Sequence, residues 1–518
     1  MAVLRRRARE RPEDPYLEDA DGEGRLTYGQ TWIAIRRWAG AYATAGVRVG
    51  DTVAVMAPLS PDAVCSWLGL AFIGAVEVPV NPALKGTLLH HVLTDSQASV
   101  LLVAPECLTA VLDIVDTLPH LRLIVTAAAD VGGASATNVV DLEAFLDAGA
   151  ATVVEHPQRA RDTACVLYTS GTTGPPKGAQ VTWGQLYATA IGLPVFDKLT
   201  SADAYYSPFP GFHIGGKHPV YVMALAGGRL VLKERFRTQD FWTDVNRHGC
   251  TVTFLLSAMS QFLLDLPPDD AERRSPLRLA MMVPMPPEPA AVERRFGLRI
   301  STIFNMTEVS VPIRSLPGQP HHSGSCGYLR PGYAARIVDA DDCEVPDGGV
   351  GELVLRSDLP WVHASGYWNA PEKTLESWRN LWFHTGDAFR RDADGAFHFV
   401  DRMKDVIRRR GENISSYDIE SACLEVAEIQ ACAAVGVPSE YGEEEVLLVA
   451  VPTELGAIDA GRLAAELGRR LPPFMVPAFI ELVTELPMTP TQKIRKAELR
   501  RRGVTNAAYA TRSERRSS

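Results

Sequence analysis

Between residues 51 and 126 the chain alternates short apolar runs with amphipathic ones, and this rhythm restricts the fold more than any other feature. Residues 51–56, 76–80, 99–103 and 121–126 have the length and β-branched content of buried strands, whereas 62–73 and 84–94 have the length and pattern of helices. A strand–helix–strand order joins its strands in parallel, so the expected class is α/β, with parallel-rich sheets sandwiched by helices. No internal repeat breaks the rhythm. The alanine- and glycine-rich residues 127–151 are expected as surface loop with a short helix.

Composition excludes several classes of protein. A chain of 518 residues with 46% hydrophobic and 22% charged content is a globular protein of roughly two to four domains. Its net charge of -10 comes with no basic stripe, which argues against a nucleic-acid partner. The eight cysteines form no C-x-x-C pair and no zinc-like spacing, so they are expected to be reduced, as in the cytoplasm. Arg5, Arg6, Arg7, Arg9 and Arg11 precede no apolar segment, and no window approaches the roughly 18 apolar residues of a membrane span. No residue pattern specifies an oligomeric state.

The stretch Tyr-Thr-Ser-Gly-Thr-Thr-Gly-Pro-Pro-Lys-Gly, residues 168–178, carries chemistry. It follows the apolar run 164–167 and precedes the helix-like residues 185–191, so it is expected as a strand-to-helix connection, where anions are favoured. Gly171 and Gly174 let backbone N–H groups converge on a phosphate. Thr169, Ser170, Thr172 and Thr173 supply hydroxyl donors, and Lys177 supplies charge. The Walker pattern is absent, because Lys177 follows Pro176 and precedes Gly178. A polyphosphate is the expected guest.

This loop resembles, almost residue for residue, the signature of the adenylate-forming superfamily of acyl-CoA synthetases, luciferases and adenylation domains. The resemblance recurs in order along nearly the whole chain: Phe212-His213, Phe304-Asn305-Met306-Thr307-Glu308, Gly351-Glu352-Leu353, Thr385-Gly386-Asp387, Asp401-Arg402-Met403-Lys404-Asp405, Arg410-Gly411-Glu412-Asn413-Ile414, and Lys493 within Pro490 to Lys496. The stretch Arg409-Arg410-Gly411-Glu412-Asn413 looks most like the carnitine-CoA-ligase-like branch of small-acid ligases. The resemblance implies a large N-terminal domain over residues 1–402 and a small mobile α+β domain over 403–518, with a hinge near Lys404. The back portion itself reads as a hairpin, a helix at 417–428, strands at 431–437 and 446–451, and a helix at 461–471.

The same resemblance implies ATP and Mg2+ as cofactors and CoA as co-substrate, with a small acid as the other partner. Glu308 offers the carboxylate oxygen that magnesium requires. Thr307 is placed on the α-phosphate, Phe304 against the adenine, and Asn305 and Met306 beside it. Phe304-Asn305 stands where Tyr-Gly is usual, and the adenine segment is altered to Val283-Pro284-Met285-Pro286. Asp387 and Arg402 are expected on the ribose. Lys493 is expected to span the substrate carboxylate and nucleotide oxygens while the first bond forms, although Gln492 replaces the glycine common before it. Gly411 would lie beside a pantetheine tunnel. Arg408, Arg409 and Arg410 either serve phosphates or face water.

Phe212 and His213 are expected at the acid pocket, His213 as a wall or gating residue. Lys217, four residues on and beside apolar Ile214 and Val220, either meets a polar or anionic substrate or faces solvent. The expected reaction is activation of a small or aromatic carboxylic acid to an acyl-AMP, then transfer to CoA. Two alternatives stay open: an adenylating enzyme with a non-CoA partner, such as nitrite activation for diazotisation of an aryl amine or amide formation, and a catalytically silent nucleotide-binding protein.

Overall fold

The structure, a computed structural model, describes the chain except for residues 23, 128–137, 151, 170–175, 287, 320–323, 404, 410–411, 439–443, 455, 489–493 and 512–518, and the side chains of 257, 258, 408, 412 and 413. It divides into two compact units, Met1–Ala334 with Arg356–Leu381, and Ala335–Leu355 with Trp382–Ser518.

The first unit contains two seven-stranded sheets. One runs Asn138–Asp141, Leu123–Thr126, Val100–Val103, Thr52–Met56, Val76–Pro79, Thr163–Thr169, Lys177–Thr182. All its neighbours are parallel except the last pair. The other runs Arg299–Ser301, Leu279–Val283, Val252–Leu256, Ala204–Ser207, Arg229–Leu232, Pro15–Asp19, Arg25–Thr27, and is parallel up to its closing hairpin. One apolar core joins the facing sides of both sheets to the helices Tyr28–Thr44, Pro61–Ile73, Trp183–Gly192 and Ile214–Ala226. Pro61–Ile73 is buried along nearly its whole length, which explains why its sequence is apolar on every side rather than amphipathic. Ser60 caps its N-terminus, and Gly74, at φ +79°, ends it in the left-handed conformation.

Strands expected at 51–56, 76–80, 99–103 and 121–126 form as Thr52–Met56, Val76–Pro79, Val100–Val103 and Leu123–Thr126. Residues 127–151 contain the expected short helix, Leu142–Asp147, and also an edge strand, Asn138–Asp141.

The second unit includes the antiparallel strands Gly351–Ser357, Phe383–Arg391 and Ala396–Arg402, whose first strand straddles the division. It also holds a four-stranded sheet led by Ile429–Pro438 and Glu444–Pro452. Alternate residues of these long strands enter two cores: Cys432 and Ala434 with Leu448 and Ala450 on one face, Ala433 and Val435 with Leu447 and Val449 on the other. Helices Ser416–Leu424 and Ala460–Arg470 pack on the first face. The α/β class with a separate smaller unit is therefore observed.

Candidate active site

The signature loop leaves one strand, Thr163–Thr169, and returns directly into another, Lys177–Thr182, with Thr169 opposite Lys177 and Tyr168 opposite Gly178. The expected strand-to-helix connection is thus a β-hairpin turn. Helix Trp183–Gly192 begins only after the second strand, capped by Thr182. The strand was hidden because 177–182 mixes glycine, polar and apolar residues in a short span. Ser170, Gly171, Thr172, Thr173 and Gly174 lie outside the described residues. Both ends of the turn are anchored: Tyr168 donates to Asp95 at 2.6 Å, and the His91 ring lies 2.9 Å from the Pro176 carbonyl oxygen. The Lys177 ammonium sits 5.4 Å from the centre of the Tyr367 ring.

That ring leads to Glu308. The Tyr367 hydroxyl donates to its carboxylate at 2.8 Å, and Glu308 is only 9% exposed. Burial first, then the Glu308 charge, holds the Tyr367 phenol well above its ordinary range, so it remains a donor. Backbone bonds fix the same region: Ala364 N–H to the Glu308 carbonyl at 2.8 Å, and Gln185 Nε2 to the Thr307 carbonyl at 2.7 Å. Residues 365–368 also bond along the strand Lys177–Thr182, through Gln180 to Gly366 and Trp368 to Gly178. Lys177, Glu308 and Thr307 are therefore brought together, and Tyr367 and Gln185, which contact them, are candidate site positions that the sequence reading missed. Among the described residues no group of three or more His, Cys, Asp or Glu converges as a metal cluster. A lone carboxylate fits Mg2+, which takes one or two protein carboxylates and leaves its other positions to phosphate and water.

Phe212-His213, Pro284-Met285 and Phe304 to Glu308 all follow the carboxyl ends of strands in the second parallel sheet: Ala204–Ser207, Leu279–Val283 and Arg299–Ser301. Ligand crevices of parallel sheets form at that edge. Phe304 is buried and paired with Ile313, and Asn305, Met306 and Thr307 are half-buried. His213 is the N-cap residue of helix Ile214–Ala226, and its ring packs on Phe212 with centroids 4.6 Å apart.

Lys217 does not face solvent. It is 2% exposed, as is Glu77, and the two form an ion pair, with the ammonium 4.4 Å from the centre of the Trp67 ring. Burial pushes the Glu77 carboxyl upward while Lys217 opposes it. Trp67 stacks on Trp183 with centroids 5.7 Å apart. The next residue, His218, is fully buried against Tyr205 and Phe254, and burial lowers its pKa to about 3.

In the second unit, Asp387 and Arg402 are cross-strand partners 2.9 Å apart. Gly386, at φ +69°, lies within the strand Phe383–Arg391 just before Asp387, and its N–H donates to Glu352 at 2.9 Å. Arg409 serves neither phosphate nor water: it is 1% exposed, pairs with Glu445 at 2.5 Å, and donates to the Phe474 and Val476 carbonyls. Arg410, Gly411, Lys404 and Lys493 lie outside the described residues. The residues flanking the segment that carries Lys493 are joined by a bridge between Met488 and Ile494 and by the Arg495 N–H on the Pro487 carbonyl at 2.7 Å.

A sulfoacetate–CoA ligase of Cupriavidus necator is 31% identical over 505 residues, covering 96% of each chain. A feruloyl-CoA synthase of an Amycolatopsis species is 33% identical, covering 96% of this chain and 97% of the relative. The crystal structure of an anthranilate CoA ligase with anthranoyl-AMP shares the fold, with a TM-score of 0.85 at 24% identity over 97% of this chain and 96% of that one. Residues 4–368 match the family model of the AMP-binding enzymes and residues 418–493 that of their C-terminal domain, so the chain belongs to the AMP-binding enzyme family of adenylate-forming acyl-CoA synthetases and ligases.

Proposed function

We propose that the protein activates a small or aromatic carboxylic acid with ATP. The acid's carboxylate displaces pyrophosphate to give an acyl-AMP, and CoA then attacks the acyl carbon to give the thioester and AMP. The observation that carries this reading is the convergence of Lys177, Thr307 and the Tyr367-held carboxylate of Glu308 at the foot of the signature loop. A lysine at one side and a buried carboxylate at the other suit a triphosphate with its Mg2+ ion. The sulfoacetate and feruloyl relatives support an acid that is small or aromatic.

In this reading Thr169, Ser170, Gly171, Thr172, Thr173, Gly174 and Lys177 hold the phosphates, and Glu308 holds the metal. Phe304, Asn305 and Met306 contact the base, and Thr307 the α-phosphate. Asp387 and Arg402 take the ribose. Phe212, His213 and Lys217 belong to the acid pocket, with the Lys217 charge offset by Glu77. Lys493 orients the attack and offsets developing charge. Lys404 is the hinge between a front domain, 1–402, and a back domain, 403–518. A reducing compartment, the cytoplasm, suits eight cysteines that form no disulfide.

The test is AMP and pyrophosphate release over acetate, malonate, benzoate, ferulate and sulfoacetate, with and without CoA or nitrite. CoA-dependent AMP release supports the ligase reading, and nitrite-dependent release moves the assignment to the non-CoA alternative. ADP and phosphate as products overturn both.

A further inference from the structure

The segment that follows Lys493 is tied to both sides of Lys404. Lys496, first residue of the helix Lys496–Arg502, places its ammonium on the Ser416 hydroxyl and 2.8 Å from Glu420 Oε1. Ser416 passes the link onward, its hydroxyl donating to Asp401 Oδ2 at 2.5 Å and its backbone N–H to the same oxygen at 2.7 Å. The proton order is consistent, because the hydroxyl accepts from Lys496 and donates to Asp401. Glu420 is itself fixed by the Ala434 N–H at 2.7 Å. One turn further along the helix, Arg500 reaches Asp405 at 3.0 Å. Asp401 and Asp405 bracket Lys404.

These contacts cost something to build. Ser416 is fully buried and Asp401 nearly so, Lys496 and Glu420 are largely buried, and a network in such surroundings rewards full satisfaction and penalises partial satisfaction. Packing alone would be met by apolar residues at these positions. The polar chain instead fixes one geometry, from the strand end at Asp401 through the helix start at Ser416 to a point three residues beyond Lys493. The bridge between Met488 and Ile494 joins the residues on either side of the segment that carries Lys493, and Lys496 N–H bonds the Ile494 carbonyl at 3.1 Å, so fixing Lys496 also fixes the C-terminal end of that segment.

We propose that Lys496 and Arg500 are positioning residues for adenylation: they register the Lys493 loop against Asp401 and Asp405, on the two flanks of Lys404. The inference rests on the function proposed for Lys493. Displacing a reacting group by about 1 Å costs on the order of 100-fold in rate, and this sets the scale expected.

The experiment separates the two half-reactions. With whichever acid of the panel releases most AMP, single-turnover pyrophosphate release reports adenylation. Thioester formation from the chemically synthesised acyl-adenylate and CoA reports transfer. Lys496→Met should lower adenylation by about 10- to 100-fold and leave transfer within about threefold, while Lys496→Arg recovers adenylation. Ser416→Ala, which removes the relay hydroxyl but leaves Lys496 and Glu420 paired, should slow adenylation in the same direction and keeps the question answerable if Lys496→Met folds poorly. Equal losses in both steps, or wild-type adenylation in Lys496→Met and Ser416→Ala, overturn the inference. Lys493→Ala, run beside them, tells the two failures apart. If it retains adenylation, the role of the loop itself is wrong; if it is inactive in that step while Lys496→Met is normal, only the positioning role is wrong.

Discussion

Glu77 and Lys217 provide the sharpest test of what a buried ion pair does in this fold. Each is 2% exposed, and they come from the strand Val76–Pro79 and the helix Ile214–Ala226, with the Lys217 ammonium beside Trp67 of the main apolar core. Lys217→Met strands the Glu77 carboxylate without its cation and also removes the contact with Trp67. Breaking one side of a buried pair costs about 3–5 kcal/mol, whereas replacing both partners with apolar residues of similar volume is often neutral or stabilising. The expected result is therefore strongly non-additive. Lys217→Met and Glu77→Met each move the urea midpoint down by more than about 1 M, taking m as about 3 kcal/mol/M. The double variant recovers most of that loss. Tryptophan fluorescence follows the transition, since the Trp67–Trp183 stack lies in the same core. Additive losses in the double variant would refute mutual dependence of the two charges. In the folded double variant, kcat/KM for malonate should fall relative to that for benzoate by more than about threefold if the ammonium serves the acid as well as Glu77, and an unchanged ratio would remove Lys217 from the proposed acid pocket.

Lys493→Ala should abolish adenylate formation and spare turnover of a pre-made acyl-adenylate, and equal loss of both steps would contradict its assignment. Tyr367→Phe removes the donor to Glu308, a bond to a charged acceptor worth about 1.5–3 kcal/mol; kcat/KM for ATP should fall about 10- to 100-fold, and an unchanged value would remove Tyr367 from the site. His218 predicts acid sensitivity: its ordinary pKa of 6.5 falls to about 3 in the fold, so below 6.5 the unfolded chain binds a proton that the folded chain refuses. Stability is then full above about pH 6.5 and declines on acidification, by about 2 kcal/mol at pH 5 from this residue alone. Chemical denaturation of wild type and His218→Leu across pH 5–8 measures it, and equal pH slopes would refute it.

The parallel framework could be read from the sequence because buried strands and helices of ordinary length leave long, regular apolar signals, as at Thr52–Met56, Pro61–Ile73 and Val76–Pro79. The second half was also readable at the level of elements, since helices expected at 417–428 and 461–471 form as Ser416–Leu424 and Ala460–Arg470. What escaped was whatever depends on distant residues. Tyr367 meets Glu308 across 59 positions and Lys217 meets Glu77 across 140, separations that no local pattern encodes. Arg409 looked like part of a basic run because burial of a guanidinium by Glu445 and two carbonyls leaves no trace in its neighbours' types. The signature loop was recognised by residue order, yet its hairpin setting was missed because Lys177–Thr182 is short and mixed in character.

That hairpin has a practical consequence. Lys177–Thr182 is the outermost strand of its sheet, and its open side is covered by residues 365–368, the same segment that presents Tyr367 to Glu308. An uncovered outer strand is a template for self-association. Substitutions that loosen 365–368 should therefore surface as clumping protein and as lost turnover at once, and any activity screen across this stretch needs light scattering measured on the same samples.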